Sequence, residues 1–322
     1  MRSVKFSCRV WLVAGLLSFF IAVPRLSQAE PVPNISTDST VHANGATFYY
    51  TMMGRGDTVV ILHGGPGMDH SYFLPQMREL AKKHTLFFYD QRAAGRSSVN
   101  VDTSTMTAAT FVEDLEGIRV ALNLGKMNLF GHAWGGLLAM EYAIKYPQNV
   151  KTLILVNPVG PTSAMRIMRF QNLRSLLTKK DSLALIKLQN SEAFKRRDPQ
   201  TMAQADRIYF HTNFCNQKLV KNLTLEYQPT YRATDSLTQY LNRDLNSYDI
   251  RPQLKNIACP TLFFVGDYEL MPTVATRAIR SGIPNIQSVY MKHCGHFPFI
   301  EQPKLFFKDV NDFLAGKVIA KR

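Results

Sequence analysis

The chain has 322 residues, 46% of them apolar and 19% charged, with a formal net charge of +14. That length holds one large α/β domain with an inserted subdomain, or two small domains, and the composition is ordinary for a soluble globular protein rather than a disordered or multi-span one. The basic residues are dispersed: Lys195-Arg196-Arg197 and Lys179-Lys180 are the notable clusters. They read as solvated faces, and no recognisable nucleic-acid module accompanies them.

The N-terminus carries a basic n-region (Arg2, Lys5, Arg9), an apolar h-region from Trp11 to Val23 and a small-residue site, Ser27-Gln28-Ala29. This pattern predicts a signal peptide over residues 1–29, cleaved after Ala29, and an exported, periplasmic or secreted protein. The apolar run is shorter than the roughly 20 residues that span a bilayer, so membrane contact is expected only through this segment before cleavage. Cleavage removes four basic residues and no acids, taking the charge from +14 to +10. Residues 30–41 are polar and Pro-containing and read as a flexible leader. Three cysteines then remain, Cys215, Cys259 and Cys294, which allows at most one bridge in an oxidising compartment.

From residue 42 the patterns alternate. Val41-His42-Ala43 and Ala46 to Met52 flank Asn44-Gly45, a hairpin turn signal. Thr58 to Leu62 and Thr85 to Tyr89 are short apolar runs of the kind that form buried parallel strands, with a helical pattern from Tyr72 to Lys83 between them. Phe111, Leu115, Ile118 and Leu122 recur at helical spacing behind Thr110, a candidate N-cap. Met127 to Phe130 is strand-like, Leu137 to Tyr146 helix-like, and Val150 to Val156 a further apolar strand. Residues 160–250 lack strand patterning and read as helical. Within them Met165, Met168, Leu173, Leu176 and Leu177 form an apolar spacing, with Arg166, Arg169 and Arg174 elsewhere around the helix. Strand and helix signals resume at Thr261 to Val265, Val274 to Arg280, Ser288 to Met291 and Leu305 to Leu314. The prediction is a doubly wound, mostly parallel α/β sheet formed by 42–159 and 251–322, interrupted by a helical cap over 160–250.

Three motifs sit where strands end. His63-Gly64-Gly65-Pro66-Gly67 follows the first buried strand and offers backbone N–H groups with no side chain in the way. Asp90-Gln91-Arg92-Ala93-Ala94-Gly95-Arg96-Ser97 follows the next. Gly131-His132-Ala133-Trp134-Gly135-Gly136 lies between a strand and a helix. There a G-x-S-x-G elbow would expose a nucleophilic serine, but the central residue is Ala133, whose methyl group cannot attack a carbonyl. Near the C-terminus, Gly266-Asp267-Tyr268-Glu269 and His293-Cys294-Gly295-His296-Phe297 each follow a predicted strand.

These motifs, in this order, resemble the proline iminopeptidase family of α/β-hydrolases, which carries HGGPG and a DQRGxGxS-like stretch. The resemblance runs from about residue 45 to 315 and is weakest in the insertion. The sequence departs from the family at Ala93, usually glycine, and at Ala133. The resemblance implies an α/β-hydrolase fold and acyl transfer, with Ala133 at the nucleophile position and His296 as base. Glu269 is the acid that spacing selects, with Asp267 as the alternative. The N–H groups of Gly65 and Trp134 form the oxyanion hole, and Gly64 and Trp134 contact substrate. His293 is then a supporting residue. No metal or cofactor is implied. The implied partner is a short peptide with a free N-terminal residue, or an acyl ester; relatives hold the free amine with cap carboxylates, for which Glu192, Asp206 and Glu226 are available. Ser71, Ser97, Ser98 and Cys294 lack an elbow setting and do not replace the missing serine.

Two accounts cover Ala133: an introduced serine-to-alanine change in an active hydrolase, or a natural loss in a ligand-binding protein. Joint retention of base, acid, Gly-rich loop and cap favours the first. An esterase, lactonase or lipase-like enzyme is the further alternative.

Overall fold

In the computed structural model residues 37–320 are described, and the expected signal peptide lies outside them. The polypeptide builds one eight-stranded sheet, from β1 (Thr37–Ala43), β2 (Ala46–Gly54), β3 (Thr58–Leu62), β4 (Thr85–Tyr89), β5 (Met127–His132), β6 (Val150–Val156), β7 (Thr261–Gly266) and β8 (Ile286–Met291). The spatial order is β1-β2-β4-β3-β5-β6-β7-β8. The hairpin β1–β2 and the β2–β4 pair are antiparallel, and every later pair is parallel. Strand β1 begins inside the segment read as a leader: Thr37 pairs with Met52, and four further β1 residues up to Val41 continue that ladder. Its polar alternation reflects an edge strand with one solvated face.

Helices cover both faces of the sheet. Successive residues of a strand point to opposite sides, so Val60, Leu62, Phe87, Tyr89, Leu129 and Leu153 join one core with α2 (Ala108–Ala121), α3 (Trp134–Lys145) and α9 (Thr273–Gly282). Val59, Ile61, Leu86, Phe88, Phe130 and Ile154 join the other with α1 (Leu74–Ala81) and α11 (Pro303–Leu314). Helix α2 starts earlier than its apolar spacing suggested: the cap is Thr107, whose hydroxyl accepts from the Thr110 N–H, and not Thr110 itself. Thr107 is the last extended residue before the turn, the backbone state an N-cap requires.

Between β6 and β7 the chain leaves the sheet and forms α4 (Ser163–Ser175), α5 (Lys179–Gln189), α6 (Glu192–Lys195), α7 (Pro199–Phe210) and α8 (Tyr231–Asp244). The two ends of this excursion are tied together: Ser163 N–H donates to Tyr248 O at 3.0 Å and Ile250 N–H to Pro161 O at 2.9 Å. The short α10 (Pro298–Glu301) precedes α11. All three cysteines in the described residues are free thiols, so the bridge that the sequence allowed does not form. No helix among the described residues is long and apolar enough to cross a membrane.

Candidate active site

The loops that follow β3, β4, β5, β7 and β8 converge at one edge of the sheet, the C-terminal edge where open α/β sheets bind ligands. The β5–α3 turn is the sharpest. Ala133 adopts φ 53° and ψ −116°, a conformation strained for a residue with a Cβ. Its N–H donates to Val156 O at 3.1 Å, and its carbonyl accepts from Val159 and Gly136 at 2.9 and 3.0 Å. The flanking glycines permit this closeness: a Cβ on Gly131 would fall 2.4 Å from Gly135 O, and one on Gly135 would fall 2.1 Å from Leu62 O.

His296 stands on the loop after β8. Its Nδ1 donates to Glu269 Oε2 at 2.5 Å, while Nε2 has no hydrogen-bond partner among the described residues. Glu269 is also fixed by the Met271 N–H at 3.0 Å and by Arg169 Nε of α4 at 3.1 Å. Burial alone would raise the Glu269 carboxyl, but the charges of His296 and Arg169 and its hydrogen bonds outweigh that and bring it down to about 2. Burial pulls His296 below the ordinary histidine value, against the pull of Glu269. The pair is therefore a carboxylate holding a neutral imidazole with its free nitrogen available as a base.

The loop after β3 is braced from behind. The Gly64 N–H donates to Tyr72 Oη at 2.7 Å, Tyr72 Oη lies 2.8 Å from His132 Nδ1, and His132 Nε2 lies 2.9 Å from His296 O. A carbonyl can only accept, so His132 carries its hydrogen on Nε2 and accepts a hydrogen bond from the Tyr72 hydroxyl at Nδ1. Burial keeps it neutral. Gly65, at φ +130°, donates its N–H to no acceptor among the described residues. The Trp134 N–H opens α3, where a helix leaves its first donors without intrahelical partners. Gln91 joins the two loops: its Nε2 donates to His63 O at 2.8 Å, its Oε1 accepts from Trp134 Nε1 at 2.6 Å, and its N–H donates to His63 Nε2 at 3.0 Å. Arg92 makes a buried two-pronged pair with Asp114, at 2.5 and 2.8 Å. The Asp90-Gln91-Arg92 motif thus anchors the loops and does not line the cavity.

A cavity of about 390 Å³ lies between these loops and the cap, lined by Gly64, Gly65, Ala133, His296, Arg166, Arg169, Asp206 and Tyr227 among others. A wider groove of about 740 Å³, bounded by Gln76, Lys83, Phe307 and Asn311, shares no residue with it. Tyr227 donates its hydroxyl to Asp206, and burial raises the Asp206 carboxyl to about 6.

A profile of the alpha/beta hydrolase fold matches residues 57–303. The chain belongs to the alpha/beta hydrolase fold family. It is 30% identical over 270 residues to the proline iminopeptidase of Heyndrickxia coagulans, covering 81% of this chain and 91% of that protein. Among solved structures it is similar to a proline iminopeptidase from Mycobacterium smegmatis, with a TM-score of 0.63 and 20% identity over 87% of this chain and 98% of that one. It is also similar to an esterase from Exiguobacterium antarcticum, with a TM-score of 0.64 and 20% identity over 87% and 100% of the two chains. The two structural likenesses carry the fold alone.

The motif residues of the chain occupy distinct places in this fold. Ala133, Gly64, Gly65 and His296 line one cavity, with Glu269 behind His296. Asp267 does not reach His296. Its carboxylate accepts from the N–H groups of His293 and Cys294 at 2.9 and 3.0 Å and so shapes the loop that carries the imidazole. The Trp134 side chain does not contact the cavity as expected of a substrate-binding residue: it is buried against Gln91 and Phe111, which leaves only its N–H near the site. Of the three cap acids, Asp206 lines the cavity, whereas Glu192 is exposed and paired with Lys195, and Glu226 is exposed. The cap contributes more than sequence reasoning gave it. Arg169 reaches Glu269 directly, and Asn213 accepts the His296 N–H at 2.7 Å through its carbonyl and Arg169 Nη2 at 2.6 Å through its side chain. An arginine within a polar helix gives no signal of facing inward, so neither contact was legible.

Proposed function

We propose that this chain is the scaffold of an exported serine hydrolase of the proline iminopeptidase type, with Ala133 standing where the nucleophile would be. The observation that carries this reading is the conjunction at one cavity of the strained turn at Ala133, the His296–Glu269 pair and the unengaged Gly65 N–H. In the Ala133→Ser form the new hydroxyl attacks the acyl carbon and passes its proton to His296 Nε2. Glu269 holds the imidazolium, and the N–H groups of Gly65 and Trp134 stabilise the oxyanion. His296 then returns the proton to the leaving amine or alcohol, and water releases the acyl group by the same steps. Without the hydroxyl only binding and oxyanion stabilisation remain.

The proline iminopeptidase relative supports a short peptide with a free N-terminal residue as substrate, and Asp206 is the cap carboxylate placed to hold that amine. Retention of the whole constellation around Ala133 supports an introduced or recent loss of serine; a native alanine codon at position 133 in the source gene would refute an introduced change. Residues 1–29 support export, which N-terminal sequencing of the mature protein tests. The decisive experiment compares the unsubstituted chain with its Ala133→Ser form on prolyl aryl amides and short acyl esters. A large gain establishes the hydrolase, and the preferred class separates peptidase from esterase. A well-folded variant with unchanged background rates, together with stoichiometric retention of a small molecule, would instead establish a non-catalytic binding protein.

A further inference from the structure

Helix α4 lines the same cavity with three arginines, Arg166, Arg169 and the exposed Arg174, and the first two, one turn apart, meet opposite surroundings. Arg169 is neutralised by Glu269. Arg166 is 8% exposed and has no carboxylate within ion-pair distance among the described residues. Its Nη2 donates to Asn242 Oδ1 at 2.5 Å, and its guanidinium lies 5.3 Å from the centre of the Phe170 ring. Asn242 and Phe170 line the cavity with it. Asp206 does not serve as its counter-ion; that carboxylate, on α7, is engaged by Tyr227. A guanidinium has five N–H donors, and among the described residues only Asn242 takes one of them. Burying such a charge without an acid is costly, and burial does depress its basicity. A structural arginine in this position would be expected to carry its partner within the fold, as Arg92 does with Asp114.

We propose that Arg166, steered by Asn242 and backed by Phe170, is an anion subsite that receives a carboxylate of the substrate. The planar fork of a guanidinium matches the two oxygens of a carboxylate. A dianion such as a phosphate monoester fits less well, because Asp206 lines the same cavity and repels it. The identity of the molecule that brings the carboxylate rests on the peptide reading above. With Asp206 holding an N-terminal amine and Arg166 a C-terminal carboxylate, the substrate is a di- or tripeptide with both ends inside the cavity. Its volume, about 390 Å³, lies near the small end of the roughly 300–1,000 Å³ of ligand cavities. A longer peptide would carry its carboxylate out past the cap.

Ala133 lets the subsite be tested by binding alone, without turnover. Calorimetric titration of the unsubstituted chain compares prolyl-glycine with prolyl-glycinamide, and monomethyl succinate with dimethyl succinate. The expected result is roughly tenfold or greater preference for the free acid in the peptide pair. That preference should disappear in Arg166→Met and survive in part in Arg166→Lys, which keeps the charge but not the fork. Thermal melts confirm folding, and the acid-against-amide comparison on the unsubstituted chain needs no variant to fold. Equal affinity for acid and amide overturns the subsite and leaves the peptidase reading standing. Peptides that do not bind, with monomethyl succinate preferred over its diester through Arg166, uphold the subsite and overturn the peptide reading. A preference that persists in Arg166→Met, or none in either pair, overturns the proposal.

Discussion

Along β3 and β4, Val59 to Leu62 and Leu86 to Tyr89 are all buried and apolar, and they feed the two cores alternately. Along α4 the pattern is nearly reversed. Arg166 and Arg169 turn toward the cavity, while Ile167 and Met168 are exposed. The sheet is dry, so side chains there are sorted by transfer from water. The cap roofs a cavity lined by charged side chains, Arg166, Arg169 and Asp206 among them, so polarity there follows the site beneath it. Met165 and Leu173 do face inward, but they share that face with the arginines.

Under the proposed function, supplying a nucleophile at position 133 is the largest lever on the sheet side of this comparison. Ala133→Ser should raise kcat by roughly 10⁴- to 10⁶-fold on the right acyl substrate, the scale on which losing a triad serine acts; steady-state rates against the unsubstituted chain measure it. In that background Glu269→Gln should cost roughly 10³- to 10⁴-fold, because the imidazole loses the acceptor that sets its tautomer. Asp267→Asn, which touches only backbone N–H groups, should cost less than about tenfold by the same arithmetic. Equal losses in the two variants would remove the distinction drawn between these acids.

Stability should show the same asymmetry. Leu129→Ala, in the sheet core, should lower unfolding free energy by about 2–5 kcal/mol, whereas Met168→Gln on the cap surface should stay within about 0.5 kcal/mol; denaturant melts compare them. Asp206 should show the cost of a charge kept for binding. Burial raises its carboxyl to about 6, above the ordinary aspartate range, so the native state holds the proton more tightly and stability falls as pH rises through that interval. Asp206→Asn should therefore be more stable than the parent at pH 7, on the order of 1–2 kcal/mol after allowing for water in the cavity, with the gain fading below about pH 4. The same change should weaken substrates with a free amine and spare N-acylated ones. A destabilised Asp206→Asn protein at pH 7 would contradict this account. The smallest effect is expected at Arg169, whose charge lowers His296. In the Ala133→Ser background, Arg169→Met should move the midpoint of the acid limb of the kcat profile upward by about one pH unit or less.

The strands were legible because a buried parallel strand is a short apolar run between turn residues. Val150–Val156 and Thr85–Tyr89 appear at their predicted bounds. Family motifs located His296 and Ala133, and spacing favoured Glu269 over Asp267. The bracing by Gln91, Tyr72 and His132 was not legible, since it depends on side chains from a loop, a helical turn and a strand meeting behind the site. The cap hid more. Helical spacing placed Met168 and Leu176 with the apolar face, and only the location of the cavity shows that Arg166 and Asp206 face each other's space.

The turn at residue 133 is held by its neighbours: Val156, Val159 and Gly136 bond its backbone, and the adjacent glycines set its curvature. Its side chain contributes nothing to that shape, and the strain is already present with alanine. The position therefore behaves as a socket. A hydroxyl, a thiol or a methyl group should be exchangeable there without refolding the chain, and under the proposed function the same cavity becomes a receptor or a reactor according to one small side chain.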